Sequence, residues 1–290
     1  MQEVTTQDFL SFSKSHSYVT FSDRLGKRQV KIPIGLPHNI KSFQPTDFRL
    51  QIFTTWSFPK RGNWATHKGN YRGNWALEIP RNLILRYSQP EDTVLDQMCG
   101  SGTTLVECKL TGRHGIGVDI NRNSVMLSRD RLNFSYETID NSIPKTTQKT
   151  YVGDARNLDK IETESIDLIA THPPYASIIP YSKERIEGDL SNVHSIKEFA
   201  EEMKDVDREC FRVLKPDHFC AILIGDTRRN LHYVPVAYRT LGSFLEVGFI
   251  LREEIIKHQM QCKHDITPAE GAGLTEFLFD PFFSLEVKPA

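Results

Sequence analysis

The chain has 290 residues, 39% hydrophobic and 25% charged, with a formal net charge of −1 and a pI near 6.8. That composition excludes a disordered or fibrous chain and allows one large domain or two small ones. The near-neutral balance leaves any nucleic-acid contact to a local basic patch.

The five cysteines are Cys99, Cys108, Cys210, Cys220 and Cys262. None forms a CxxC pair, so neither a zinc site nor a disulfide framework is indicated, and no metal is expected. This suits a reducing cytoplasm. The N-terminus shows no leader peptide and no membrane span.

Residues 1–55 mix short apolar pieces with turn formers and give no clear element. They are read as an N-terminal extension, with substrate binding one role for it, and 56–290 as the main domain. From Trp56 the stretch WSFPKRGNWATHKGNYRGNW interleaves Lys60, Arg61, His67, Lys68 and Arg72 with aromatics, and holds all three tryptophans. Such a stretch can grip phosphates and stack bases. It can equally be a surface loop pinned to the core by its aromatics.

EIPRNLILRYS has helical spacing, with Pro80 tolerated in the first turn. DTVLDQMCGSGTT reads as strand, glycine loop and helix, and LVECKLTG continues that helix to Gly112. HGIGVDI is a strand ending at Asp119, and NSVMLSRDRLNF a helix capped by Asn121 or Asn123. After a polar connection over 137–150, YVGDARNL carries a strand into a turn, and SIDLIATHPPY is a further strand. IKEFAEEMKDVDRECFRVLKP is an amphipathic helix with Phe199, Met203, Val206 and Cys210 on one face. HFCAILIGD is a strand, YVPVAYRTLGSFLEVGF a helix ended by Gly248, and LREEIIK and TEFLFDPFFSLEV a last pair of strands. Strands alternating with helices imply an α/β fold, a mostly parallel sheet with helices on both faces.

The loop Asp96-Gln97-Met98-Cys99-Gly100-Ser101-Gly102-Thr103-Thr104 places glycines between strand and helix, where backbone can approach a ligand. Asp119 ends the next strand and can take hydrogen bonds from ribose hydroxyls. The spacing also fits a dinucleotide site, but the loop lacks the GxGxxG form, and the GK[ST] of a Walker loop is absent. Asp154, in Gly153-Asp154-Ala155, follows the next strand and can face an adenine amino group. Any one of these acids could be a helix cap; all three at successive strand ends form a constellation.

With the His172-Pro173-Pro174-Tyr175 motif added, the chain resembles the S-adenosylmethionine-dependent DNA amino-methyltransferases, from about Gly73 to the C-terminus. The resemblance implies a Rossmann-like, class I methyltransferase fold with a seven-stranded sheet, its last strand antiparallel. It implies S-adenosyl-L-methionine bound by Asn74, Trp75, Asp96, Cys99, Gly100, Ser101, Gly102, Thr103, Thr104, Asp119, Ile120, Asp154, Ala155 and His172. The segment GNWALEIPRNLI matches the one that contacts the methionine end of the cofactor in this family. Two departures stand out. The family usually has Asp-Pro-Phe where this chain has Asp96-Gln97-Met98. The first residue of its catalytic loop is usually Asp, Asn or Ser, and here it is His172.

An exocyclic amine is a poor nucleophile because its lone pair is delocalised into the ring. Acceptors aimed at its protons free that lone pair. Pro173 and Pro174 stiffen the loop and fix a backbone carbonyl, Tyr175 offers a stacking face, and His172 is the side-chain acceptor. Histidine accepts only when neutral, so activity is expected to fall through a pKa near 6.5 if that value is unperturbed. The other reading of His172 is a structural one, with a backbone carbonyl alone activating the amine. In the family it resembles, serine at this position is usual for the cytosine enzymes and aspartate or asparagine for the adenine ones; a neutral acceptor is closer in charge to serine, so the resemblance favours N4 of cytosine over N6 of adenine. Arg61, His67, Lys68, Arg228 and Arg229 are the expected substrate contacts, on phosphates. DNA is the expected partner, with a restriction enzyme, a second subunit or a homodimer as further associations and no membrane. The rival readings are an RNA or tRNA base methyltransferase and a non-catalytic, cofactor-binding subunit.

Overall fold

The computed structural model describes residues 1–22, 28–138, 142–174, 186–193, 195–229, 232–258 and 279–286. In chain order the elements are β1 (Gln2–Glu3), α1 (Thr6–Ser15), β2 (Tyr18–Ser22), β3 (Gln29–Pro33), β4 (Thr55–Ser57), α2 (Glu78–Tyr87) and β5 (Thr93–Asp96). Then follow α3 (Thr103–Thr111), β6 (His114–Asp119), α4 (Arg122–Leu132), β7 (Gln148–Val152), β8 (Ile166–Thr171), α5 (Ile196–Val213) and β9 (Leu214–Leu223). The chain continues through β10 (Thr227–Arg229), β11 (His232–Val234), α6 (Val236–Val247), β12 (Ile250–His258) and β13 (Phe279–Glu286).

One nine-stranded sheet runs β1-β7-β6-β5-β8-β9-β13-β12-β4. Strands β7, β6, β5, β8 and β9 are parallel, and β13 runs antiparallel to both β9 and β12. The expected seven strands, with the last antiparallel, are therefore the core of the sheet. The sequence reading missed two short edge strands, β1 against β7 and β4 against β12. Two and three residues long, they carry too few positions to show a period.

β8 is buried at all six positions, which makes it a central strand. On one face α5 buries Phe199, Met203, Val206 and Cys210 against the sheet, together with Phe244 of α6. On the other face α2 buries Ile79, Leu83 and Ile84 against Val94, Leu168 and Ala221. Asn121 is the cap of α4, its side chain accepting the Asn123 N–H.

The N-terminal stretch is more ordered than its sequence suggests. α1 opens with a reciprocal capping box between Thr5 and Asp8, at 3.1 Å and 2.8 Å. Phe9 of α1, Val19 and Phe21 of β2, and Ile32 of β3 form one cluster with Val125, Met126 and Leu127 of α4.

From β5 the chain winds one way, through α3, β6 and α4, to β7; it then crosses to β8 on the other side of β5. β5 and β8 thus flank a switch point, and a ligand crevice belongs outside their carboxyl ends. Asp96 and Thr171 are the last residues of those two strands.

Candidate active site

A cleft opens at this switch point, with about 810 Å³ of empty space including the part open to solvent. That is the size of a cofactor site. Its floor is Asp96, Gln97, Met98, Cys99 and Gly100 after β5, and Asp119, Ile120 and Asn121 after β6. Asp154 and Ala155 after β7 form one side, His172 and Pro174 after β8 another, and Gly73, Asn74 and Trp75 close it from the front. Residues from five separate stretches, as the sequence reading expected, line one cavity.

The glycine loop shows why these residue types stand there. Gly100 has φ +51°, and a Cβ on it would come 2.9 Å from Tyr71 Cε1. Gly102 has φ +78° and a Cβ would come 2.8 Å from Ser128 Oγ, so α4 can pack close only if this residue lacks a side chain. Thr104 Oγ1 donates to Asp96 Oδ2 (2.5 Å) and Thr171 Oγ1 to Asp96 Oδ1 (3.2 Å), which fixes the first acid. The Gly100 N–H donates to Asp119 Oδ2 (2.9 Å) and the Asn121 N–H to Asp119 Oδ1 (2.8 Å). Each oxygen keeps a further lone pair for a ligand.

Burial pushes the Asp119 carboxyl up to about 7, the two N–H donors opposing and the charges of Asp189 and Asp96 assisting. Burial likewise raises Asp96 to about 6 against its hydrogen bonds from Thr104, Met98 N–H and Thr171. Asp154 is held by Arg156, whose Nη2 lies 2.5 Å from its Oδ2.

His172 stacks on Trp75, with ring centroids 5.7 Å apart and an interplanar angle of 16°. Burial, together with the charge of Lys257, lowers its pKa to about 3, although its ring N–H bonds the Gly73 carbonyl. The expectation of a histidine titrating near 6.5 is thereby corrected. The ring is neutral at any pH where the chain would work, because desolvation and a nearby cation both disfavour imidazolium.

Other expectations also change. Ser101, Gly102 and Thr104 do not line the cleft. Ser101 and Thr104 are fully buried and build the wall behind it, and Gly102 caps α3. His67, expected on a substrate, is turned inward with its Nε2 2.7 Å from Glu107 Oε1. The same oxygen accepts Trp64 Nε1–H (2.7 Å), and Arg81 Nη1 reaches Glu107 Oε2 (2.8 Å). A buried carboxylate with three donors organises this segment. Arg61 bends back so that its Nη1 donates to the Trp75 carbonyl (2.8 Å), while Lys68 is exposed. Trp56, Trp64 and Trp75 are all buried, so these three indoles pin the stretch to the core and are not available to stack bases. Arg228 and Arg229 lie in β10, paired with β11 on the rim beyond β9. Tyr175 lies outside the described residues.

The sequence reading missed Tyr71, whose OH bonds Ser124 Oγ (3.1 Å), and the 188–190 turn, which brings Asp189 to the cleft. Tyr71 stands in the basic-aromatic stretch 56–75; Asp189 has no local signal.

Comparison with known proteins agrees with this geometry. Residues 4–130 match a family model described as DNA methylase, and residues 83–214 match one described as an RMKL-like methyltransferase domain. The type II methyltransferase M.HpaI of Haemophilus parainfluenzae is 40% identical over 58 residues, 20% of this chain and 18% of that protein. The type II methyltransferase M.MjaII of Methanocaldococcus jannaschii is 23% identical over 233 residues, 75% of this chain and 43% of that protein. The matched segments thus span less than half the length of these curated relatives. A S-adenosylmethionine-dependent methyltransferase from Methanosarcina mazei superposes with a TM-score of 0.48 at 17% identity, over 71% of this chain and 97% of that one.

The cofactor is S-adenosylmethionine, and the residues present fit it. Among the described residues the cleft is lined by Asp96, Asp119, Asp154 and Asp189 and by no lysine or arginine. An acceptor-rich, acidic cleft suits hydroxyl and amine donors and a positive ligand, and opposes the phosphates of a dinucleotide. The buried Thr103 Oγ1, at the cleft, has no hydrogen-bond partner among the described residues and is open to one from the ligand.

Proposed function

We propose, for a chain that resembles the S-adenosylmethionine-dependent DNA amino-methyltransferases, that it methylates an exocyclic amine of a DNA base. N4 of cytosine is preferred over N6 of adenine. The observation that carries the reading is His172: a neutral imidazole, clamped between Trp75 and the Gly73 carbonyl, at the mouth of the acidic cleft.

When bound, the cofactor supplies an electrophilic methyl group. Asp119 accepts the ribose hydroxyls and Asp154 the adenine edge, and the glycine loop lets Tyr71 and Asn74 close on the same ligand. One ring nitrogen of His172 is committed as donor to Gly73, so the other is an acceptor. It takes a hydrogen bond from the target amine, draws that nitrogen toward tetrahedral geometry and orients its lone pair. Pro173 and Pro174 hold the loop stiff, and Tyr175 is the stacking platform for an extruded base. The exposed Lys68, with Arg228 and Arg229 of β10, supplies the phosphate contacts in this reading. A restriction enzyme, a second subunit or a second copy of the chain are the partners this reading allows.

Cytosine is favoured because a neutral acceptor resembles serine in charge more than aspartate. The test is incorporation of labelled methyl into unmethylated DNA, at saturating cofactor, from pH 5.5 to 8. A rate without a step near 6.5 is expected of a histidine already neutral. Transfer that collapses through 6.5 would remove His172 as a permanently neutral acceptor.

A further inference from the structure

Arg131, in the last turn of α4, is 1% exposed and has no carboxylate at ion-pair distance among the described residues. A buried cation without an ion-pair partner is costly, and the more distant charge of Asp130 offsets that cost only in part. Its Nη1 donates to Ser101 Oγ and lies 3.5 Å from the Ser101 carbonyl, its Nη2 donates to Asn70 Oδ1 (2.9 Å), and its Nε has no partner among the described residues. Burial and the positive charge of nearby Arg61 lower its pKa to about 10, with Asp130 and Tyr71 opposing, so it is charged at neutral pH.

The direction of the hydrogen bonds matters. Guanidinium only donates, so the Ser101 hydroxyl, having accepted from it, passes its own proton on to Asn74 Oδ1 (2.5 Å). That settles which end of the Asn74 amide faces which way. The oxygen is held by Ser101, and the Nδ2 group keeps donors for the Lys68 carbonyl (3.1 Å) and for the cleft, which Asn74 lines. Each bond in such a chain polarises the next, so the donor strengthens as the charge behind it does.

We propose that Arg131 is a positioning residue for the carboxylate of the cofactor's methionine end, acting through Ser101 on Asn74. The inference rests on the cofactor reading of the cleft. The four charged groups that line that cleft are acids, so the carboxylate needs a positive end. Arg156 is taken up by Asp154, and Lys257 acts at His172, whereas Arg131 and Arg61 stand behind the Asn70–Asn74 side with no acid of the cleft paired to them.

The test compares two ligands that differ only in the carboxylate, S-adenosylmethionine and its decarboxylated form, by calorimetry. Arg131→Met is expected to weaken S-adenosylmethionine about tenfold, the worth of one charge-assisted contact, and the decarboxylated ligand less than about twofold. Ser101→Ala removes the relay, and with it one acceptor of the Arg131 guanidinium, and is expected to give the same selective loss; it decides the matter should Arg131→Met not fold. Equal weakening of both ligands, or no weakening of either, overturns the role. A wild-type chain that binds neither ligand overturns the cofactor reading of the cleft, and this inference with it.

Discussion

The two walls of the cleft use polar residues in opposite ways. On the strand-end wall, Asp96 and Asp119 are held by backbone N–H groups and hydroxyls of their own loops, with lone pairs left over for a ligand. On the facing wall, built by residues 56–75, His67 and the indole N–H of Trp64 spend their hydrogen bonds on Glu107, inside the protein. The first wall stores unused acceptors; the second consumes its donors to stay in place. A residue type therefore says less about function than whether its partners have already been supplied.

The contrast is broken most directly at His172, which joins the walls by resting on Trp75. His172→Ala is expected to slow methyl transfer by about 10²–10³-fold, the range for one positioned hydrogen bond that strengthens in the transition state, with cofactor affinity within about threefold of wild type. Single-turnover rates and calorimetry check both halves. An equal loss in affinity would make the ring a packing residue.

Glu107→Ala strikes the second wall. Removing the shared carboxylate leaves Arg81 buried with no ion-pair partner, and a loss of about 3–5 kcal/mol in urea unfolding is expected. A loss under about 1 kcal/mol would show that the segment is held by its tryptophans alone.

Asp119→Asn strikes the first wall with the opposite signature. Cofactor affinity is expected to fall about 100-fold, while the ligand-free chain melts about 2–4 °C higher at pH 8. The sign follows from the shift. Asp119 is raised to about 7 in the folded chain, so the stability it contributes is present at low pH and lost as pH rises through 7. A neutral amide does not suffer that loss.

The same shift predicts a pH effect on binding. Below about 7 Asp119 takes up a proton and gives up an acceptor, so affinity for S-adenosylmethionine is expected to weaken by up to about tenfold per pH unit down to pH 5.5. Asp119→Asn should flatten the curve. The smallest effect is at the surface: Lys68→Ala is expected to reduce the salt slope of DNA binding by about one, and His67→Ala to leave the slope unchanged.

These differences also mark what could be read from the residues. The strand-loop-helix units were legible because each is local: hydrophobic run, glycine turn, cap, and an acid at the strand end. Asp96, Asp119 and Asp154 followed from that grammar. His67 and Arg61 did not, because composition gives a residue's chemistry but not the side it faces, and Glu107 stands in an ordinary helix sequence. α1 had a signal in Thr5 and Asp8, hidden by the short apolar stripe behind it. Asp189 arrives from a turn without periodicity, so only the folded chain brings it to the cleft.

The most direct measurement is transfer of labelled methyl from S-adenosylmethionine to unmethylated genomic DNA and to total RNA in parallel, with the products digested to nucleosides and identified by mass. The account predicts label in DNA, as N4-methylcytosine. Label confined to RNA, or no label in DNA from a chain that binds the cofactor, would contradict it.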